Sequence, residues 1–274
     1  MRAVISEFAP AKVNLALHVT GKRADGYHFL DSLVVFAGVG DVVEVGVADV
    51  LSLTIDGPFG GALTGDNLVL RAAHAFGAGR GAAIHLTKNL PLASGVGGGS
   101  ADAAATLRAL SRLWDMAVPD ALALGADVPV CLAARAARMS GVGEVLAALP
   151  ALPALGIVLA NPGLAVSTAS VFRNLSGFGS ALPALRAWTD AADFAGWLGD
   201  CRNDLQAPAE ALCPAIMPLL AETSALTGCL LARMSGSGAT CFGLFADLAL
   251  AEAAARDLQL ERPSEWVRAA AILP

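Results

Sequence analysis

Residues 95–99 read Gly-Val-Gly-Gly-Gly, and few folds have a use for that run. Ahead of it, Ala83 to Lys88 alternates like a short strand, with Ile84, Leu86 and Lys88 on one face. Behind it a helix is predicted from Ser100. Ser100 is a suitable N-cap, Asp102 sits in the first turn where it suits the dipole, and Leu107, Leu110 and Trp114 recur at helical spacing. Strand, glycine loop and helix start in that order make a phosphate cradle. Glycines let backbone N–H groups face a ligand with no side chain in the way, and the helix start adds free donors and a positive dipole end. A plain connection would not need Gly97, Gly98 and Gly99 in succession, which costs folding entropy. The chain is therefore read as an α/β (α+β) protein organised around an anion site.

Three familiar phosphate loops are excluded. A P-loop ends in Gly-Lys-Ser/Thr, whereas here Ser100 follows Gly99 directly. A dinucleotide fingerprint counted from Gly95 and Gly97 would need glycine where Ser100 stands. A protein-kinase loop lies in a hairpin with no helix after it.

A mean hydropathy of +0.61 looks membrane-like but is inflated by alanine. The longest uncharged run, between Glu144 and Arg173, holds Pro150, Pro153, Gly156, Asn161 and Pro162, so no spanning helix of about 20 residues fits. Glu7 falls where a secretory segment would be apolar. The five cysteines are scattered, without a Cys-x-x-Cys pair, which favours a reducing cytoplasm over a disulfide or zinc framework. A net charge of −6 argues against nucleic acid as a partner. The expectation is a cytoplasmic protein with no membrane and no nucleic acid as partner. Its 274 residues suffice for one large or two modest domains.

Along the chain, residues 1–50 read as strands with turns. Alternation puts Val13, Leu15 and Leu17 on one face and Lys12, Asn14 and His18 on the other. Lysine occurs only at positions 12, 22 and 88; Lys12 either snorkels out of its strand or is held there for a purpose. A turn at Asp25-Gly26 presents Tyr27, the only tyrosine, beside His28. Val34 to Ile55 reads as further strands punctuated by Gly38, Gly40 and Asp41. Asp66 or Asn67 then caps a helix. Asp127, between Gly125 and Pro129, is either a solvated turn aspartate or a functional one. Residues 147–155, with two prolines, form the candidate linker. Beyond it come a buried strand from Gly156, helices around Leu182–Trp188, Asp193–Leu198 and Asp204–Leu226, a second glycine turn after Arg233, a helix over Leu248–Leu258 and a last strand from Trp266.

Pro91-Leu-Ala-Ser-Gly-Val-Gly-Gly-Gly-Ser-Ala-Asp-Ala-Ala resembles the ATP loop of the GHMP kinases, and the turn after Arg233 resembles their third motif. Pro10-Ala-Lys-Val-Asn-Leu with Arg23-Ala-Asp-Gly-Tyr-His narrows the resemblance to the branch acting on a cytidylyl polyol diphosphate in non-mevalonate isoprenoid precursor synthesis. That resemblance implies an N-terminal domain like domain 2 of ribosomal protein S5 (1–152) and a C-terminal ferredoxin-like sandwich (153–274). It implies ATP and Mg2+ as cofactors, with Asn67, Lys88, Pro91, Leu92, Ala93, Ser94, Gly95, Val96, Gly97, Gly98, Gly99, Ser100 and Ala101 at the nucleotide. Gly125-Ala-Asp-Val-Pro matches the motif whose aspartate is the catalytic base, which makes Asp127 the base with Lys12 beside it. Asn14 and Thr168 would contact the substrate, with the cytosine between Tyr27 and Phe172 and read by His28. Ala101 stands where the family usually carries a second loop serine. The competing readings are another small-molecule GHMP kinase, of homoserine or mevalonate type, and a nucleotide-binding protein without catalysis.

Overall fold

A computed structural model describes residues 4–62 and 67–274. In chain order they form β1 (Ile5–Lys22), β2 (His28–Val47), β3 (Leu51–Asp56), α1 (Leu68–His74), β4 (Ala82–Thr87), α2 (Gly98–Trp114), α3 (Val128–Ala133), β5 (Ala137–Gly141), β6 (Val145–Ala148) and β7 (Gly156–Asn161). There follow α4 (Thr168–Arg173), α5 (Ala191–Gly199), α6 (Gln206–Leu212), α7 (Ile216–Ala225), β8 (Leu231–Met234), β9 (Cys241–Phe245), α8 (Leu248–Glu261) and β10 (Trp266–Ala271). Two compact units emerge, each assembled from separate stretches of chain. One comprises Met1–Ala11, Gly40–Leu92 and Gly97–Ala134; the other comprises Lys12–Val39, Ala93–Val96 and Arg135–Pro274.

In the first unit the C-terminal half of β2 pairs antiparallel with β4, and β4 pairs parallel with β3. The alternation predicted for β4 is present: Ile84 and Leu86 are buried while Ala83 is exposed. Helix α2 packs against α1 and α3. Its inner residues are mostly alanines, which let the helices approach closely, and Leu107 and Leu110 fill the remaining space.

In the second unit the N-terminal half of β2 pairs antiparallel with β5, which turns into β6. The other sheet of this unit is antiparallel, in the order β10-β7-β9-β8, with α7 and α8 packed on it. Strand, helices, strand, strand, helix, strand along the chain, folded into that sheet order, is the ferredoxin-like arrangement. Every residue of β7 is buried, as its unbroken apolar sequence predicts for a central strand. Val158, Ala160, Phe245, Leu258 and Val267 lie in its core.

Four expectations need correction. Helix α2 starts at Gly98 with Gly97 as a left-handed N-cap, so Ser100 lies inside the first turn and caps nothing. β2 runs straight through Gly38, Gly40 and Asp41, because strand partners on either side override the local glycine signal. No helix forms over residues 182–188: the Leu182 N–H is taken by Asp31, and Trp188 packs on Phe194 and Trp197. The long helix expected over 204–226 is two, because Pro214 offers no N–H and holds Cys213 out of the helical region (φ −138°, ψ 82°). Of the two cap candidates, Asn67 does cap α1, its Oδ1 accepting from the Val69 N–H at 2.8 Å, while Asp66 lies outside the described residues.

Candidate nucleotide and substrate site

In the first unit the strand–loop–helix junction is organised by a buried lysine. Lys88, directly after β4, is 1% exposed, and its Nζ donates to Asp41 Oδ2 and, at 2.7 Å, to Asp102 Oδ2. Burial opposes the charged form of Lys88, but Asp102 and Asp41 outweigh it and raise its pKa above the ordinary lysine range. Asp102 shifts upward, first through burial and then through Asp41, against the pull of Lys88. Asp41 also accepts from the N–H groups of Asn89 and Leu90 at 2.5 and 2.8 Å, which fixes the entry to the loop. A Cβ on Gly98 would lie 2.9 Å from Lys88 Nζ, so the first residue of α2 has to be glycine for the helix to sit on this ammonium. Charge thus ties β2, β4 and α2 together beneath the helix N-terminus. Asp102 is no solvated dipole partner: it is 3% exposed. Pro91, Leu92, Gly97, Gly98, Gly99, Ser100 and Ala101 belong to this unit, as do Asn67 and Asp127, which heads α3.

The second unit holds the middle of the loop, Ala93–Val96. Each of its residues is bound to a different partner. Val96 C=O accepts from Lys12 N–H at 2.9 Å, Ser94 C=O from Thr240 N–H at 3.0 Å, and Ala93 C=O from Val166 N–H at 3.4 Å. Gly95 C=O accepts from Ser235 Oγ at 2.8 Å, and a Cβ on Gly95 would fall 2.4 Å from Ser235 C=O. The second glycine turn therefore packs against Ser94 and Gly95. Ser235 and Thr240 were not singled out from the sequence, where that turn showed only as a glycine pattern.

Lys12 and Asn14 are both buried on one face of β1. Asn14 donates from Nδ2 to Ser32 Oγ at 2.8 Å and from its backbone to Ser235 Oγ at 3.1 Å. Its Oδ1 is buried and has no hydrogen-bond partner among the described residues. An orphaned buried acceptor is costly, and a ligand hydroxyl would satisfy it. Thr168, the first residue of α4, shares a 2.8 Å hydrogen bond with Ser237 Oγ. Tyr27 is 61% exposed. His28 lies face to face with Phe172, ring centroids 4.8 Å apart at 25°, so these two expected base-binding residues touch in the structure itself. Burial, and then the charge of Lys22, lower the His28 pKa, which keeps the imidazole neutral at neutral pH.

Among the described residues, no cluster of three or more His, Cys, Asp or Glu is placed to hold a metal ion, and no helix is long and apolar enough to cross a membrane.

The sequence matches the family of GHMP kinases in two places, its N-terminal domain over residues 67–149 and its C-terminal domain over 181–262. It is 56% identical over 273 residues to the 4-diphosphocytidyl-2-C-methyl-D-erythritol kinase of Ruegeria pomeroyi, covering 96% of this chain and 97% of that one. The chain belongs to the 4-diphosphocytidyl-2-C-methyl-D-erythritol kinases, within the GHMP kinases. A solved 4-(cytidine 5'-diphospho)-2C-methyl-D-erythritol kinase superposes with a TM-score of 0.81 at 36% identity, over 98% of this chain and all of that one. The homoserine kinase of Cytophaga hutchinsonii, at 20% identity and a TM-score of 0.67, shares the fold over all of this chain and 95% of its own. As a GHMP kinase the protein is a small-molecule phosphotransferase that uses ATP. The segments that carry the family's loop are the ones that Lys88 and Ser235 hold in place.

Proposed function

We propose that this kinase transfers the γ-phosphoryl group of ATP to the 2-hydroxyl of 4-diphosphocytidyl-2-C-methyl-D-erythritol, in the synthesis of isoprenoid precursors without mevalonate. The 56% identity to a kinase of that name, across 96% of the chain, carries the reading. The paired His28 and Phe172 beside the exposed Tyr27 support it.

In this reading Asp127 accepts the proton of the attacking hydroxyl, the new O–P bond forms as the bond to the β-phosphate oxygen breaks, and ADP leaves. Lys12 offsets charge on the transferring group. The N–H groups from Gly95 to Ser100, with Pro91–Ser94 leading in and Ala101 following, cradle the phosphates, and Asn67 lies at the adenine; the Ala101 N–H itself is bonded to Gly97 C=O at 2.9 Å. Lys88 serves the nucleotide by holding the loop: its ammonium is committed to Asp41 and Asp102, and its backbone is paired with Asp56 and Phe59. Asn14 Oδ1 and Thr168 take polyol hydroxyls, Tyr27 and Phe172 stack on the cytosine, and His28 reads its edge. Magnesium neutralises phosphate charge in this reaction class. With no carboxylate cage among the described residues, the ion would come already on the nucleotide, with Ser100 the side chain to hold it. Residues 1–152 and 153–274 act as the N- and C-terminal functional domains, and the two family matches fall within them. The protein works in the cytoplasm on a small molecule, as a monomer or weak homodimer, and without nucleic acid, the last of which its net charge of −6 supports.

Asp127→Asn tests the mechanism. Calorimetry should find ATP binding retained while turnover falls at least ~100-fold. Unchanged turnover would remove Asp127 from the reaction. Turnover of the cytidylyl polyol compared with homoserine and mevalonate tests the substrate.

A further inference from the structure

Between α4 and α5 the chain has no helix or strand, yet residues 179–182 are bound at almost every step. Gly179 N–H donates to Val19 C=O at 2.9 Å. Ser180 C=O accepts from His18 Nδ1 at 2.9 Å and from Arg202 Nη2 at 2.8 Å. Leu182 N–H donates to Asp31 Oδ2 at 2.8 Å, a carboxylate that Arg138 grips with Nε and Nη2. Arg202 is itself held by Asp204, and a Cβ on Gly179 would meet its Nη2 at 2.0 Å, so the backbone lies flat on a fixed guanidinium. These bonds hold residues 179–182 in one place on β1, β2 and the Arg202 side chain.

The segment presents Phe178, which is 54% exposed. Its ring centroid is 6.1 Å from that of His28, at 57°, within the range of a tilted aromatic pair. His28 thus contacts two phenyl rings, Phe172 stacked and Phe178 tilted. Shielding by these rings accords with the burial that keeps the imidazole neutral. A neutral imidazole keeps one lone pair, which accepts from an exocyclic amine; a protonated one has none to offer. Cytosine carries such an amine where uracil carries a carbonyl.

We propose that Phe178 is a specificity-determining residue of the pyrimidine site, holding the His28 imidazole so that its lone pair meets the amino edge of a cytosine. The inference rests on the cytidylyl reading given above, and its test separates the two. Binding of cytidine diphosphate and of uridine diphosphate is measured by calorimetry for the wild type, Phe178→Ala and Phe178→Tyr, alongside turnover of the cytidylyl polyol. Phe178→Ala should weaken cytidine diphosphate about 5- to 10-fold and uridine diphosphate less. The Michaelis constant for ATP should stay within about twofold, and Phe178→Tyr should restore cytidine affinity. Equal cytidine diphosphate affinity in wild type and Phe178→Ala would overturn the proposal, as would a wild type that binds none. Loss of cytidine affinity by both variants alike, with ATP binding also weakened, would reduce Phe178 to a packing residue and overturn it too. Wild-type turnover decides the cytidylyl substrate independently of Phe178.

Discussion

Lys88 and His28 each organise a part of the proposed site, and they do so by opposite means. Around Lys88 everything is closed: three ionisable side chains, each no more than 3% exposed, neutralise one another under the start of α2. Around His28 the surroundings are aromatic and open, with Tyr27 and Phe178 more than half exposed. The first arrangement has each of its charges in an ion pair without ligand, although Asp102 Oδ1 has no hydrogen-bond partner among the described residues. The second leaves apolar surface that a ligand would cover. Elements that shape a binding loop are built to resist change, while elements that choose among substrates are left unfinished until the substrate arrives.

Perturbing each part should therefore register in a different measurement. Lys88→Met has the largest expected effect. It leaves two buried carboxylates facing each other, and breaking such a pair costs about 3–5 kcal/mol; urea denaturation should show a loss of that size. A loss below about 1 kcal/mol would mean that the three groups do not act as a lock. Tyr27→Ala should leave stability unchanged and raise the Michaelis constant for the cytidylyl substrate. Stacking worth roughly 1–3 kcal/mol per base corresponds to about 5- to 150-fold. The constant for ATP should be unaffected, and an equal rise for ATP would place Tyr27 elsewhere.

The smallest effect belongs to His18, which anchors the Phe178 segment. His18 donates from Nδ1 to Ser180 C=O and accepts at Nε2 from Arg202 N–H at 3.0 Å, so it is held neutral. Burial is the main cause that lowers its pKa. The unfolded chain then takes up a proton near pH 6.5 while the folded one does not. This stability is fully present above pH 6.5 and is lost progressively as pH falls from there to the folded-state pKa. Denaturation midpoints at pH 7.5 and 5.5 should differ by less in His18→Gln than in the wild type. An identical pH dependence would show that His18 contributes none of it.

The glycine loop, its strand and its helix were legible in the sequence because their chemistry is local. So were the ferredoxin-like strands, whose apolar runs and glycine turns sit at their ends. The partners of Lys88 were not legible. Asp41 looked like punctuation in a strand, and Asp102 looked like an exposed first-turn acid; only strand register and helix orientation bring both to one ammonium. Residues 182–188 misled for the same reason, since a hydrogen bond to Asp31 has no local signature. Phe178 carried no signal either, because exposure and a neighbour 150 residues away are properties of the folded chain.

The bonds from Ser235 and Thr240 to Gly95 and Ser94 have a consequence during synthesis. A ribosome releases the glycine run about 140 residues before the ones that fix its shape. Chains truncated before Ser235 should consequently fail to capture nucleotide, and competence should arrive abruptly as the turn from Ser235 to Thr240 clears the exit tunnel.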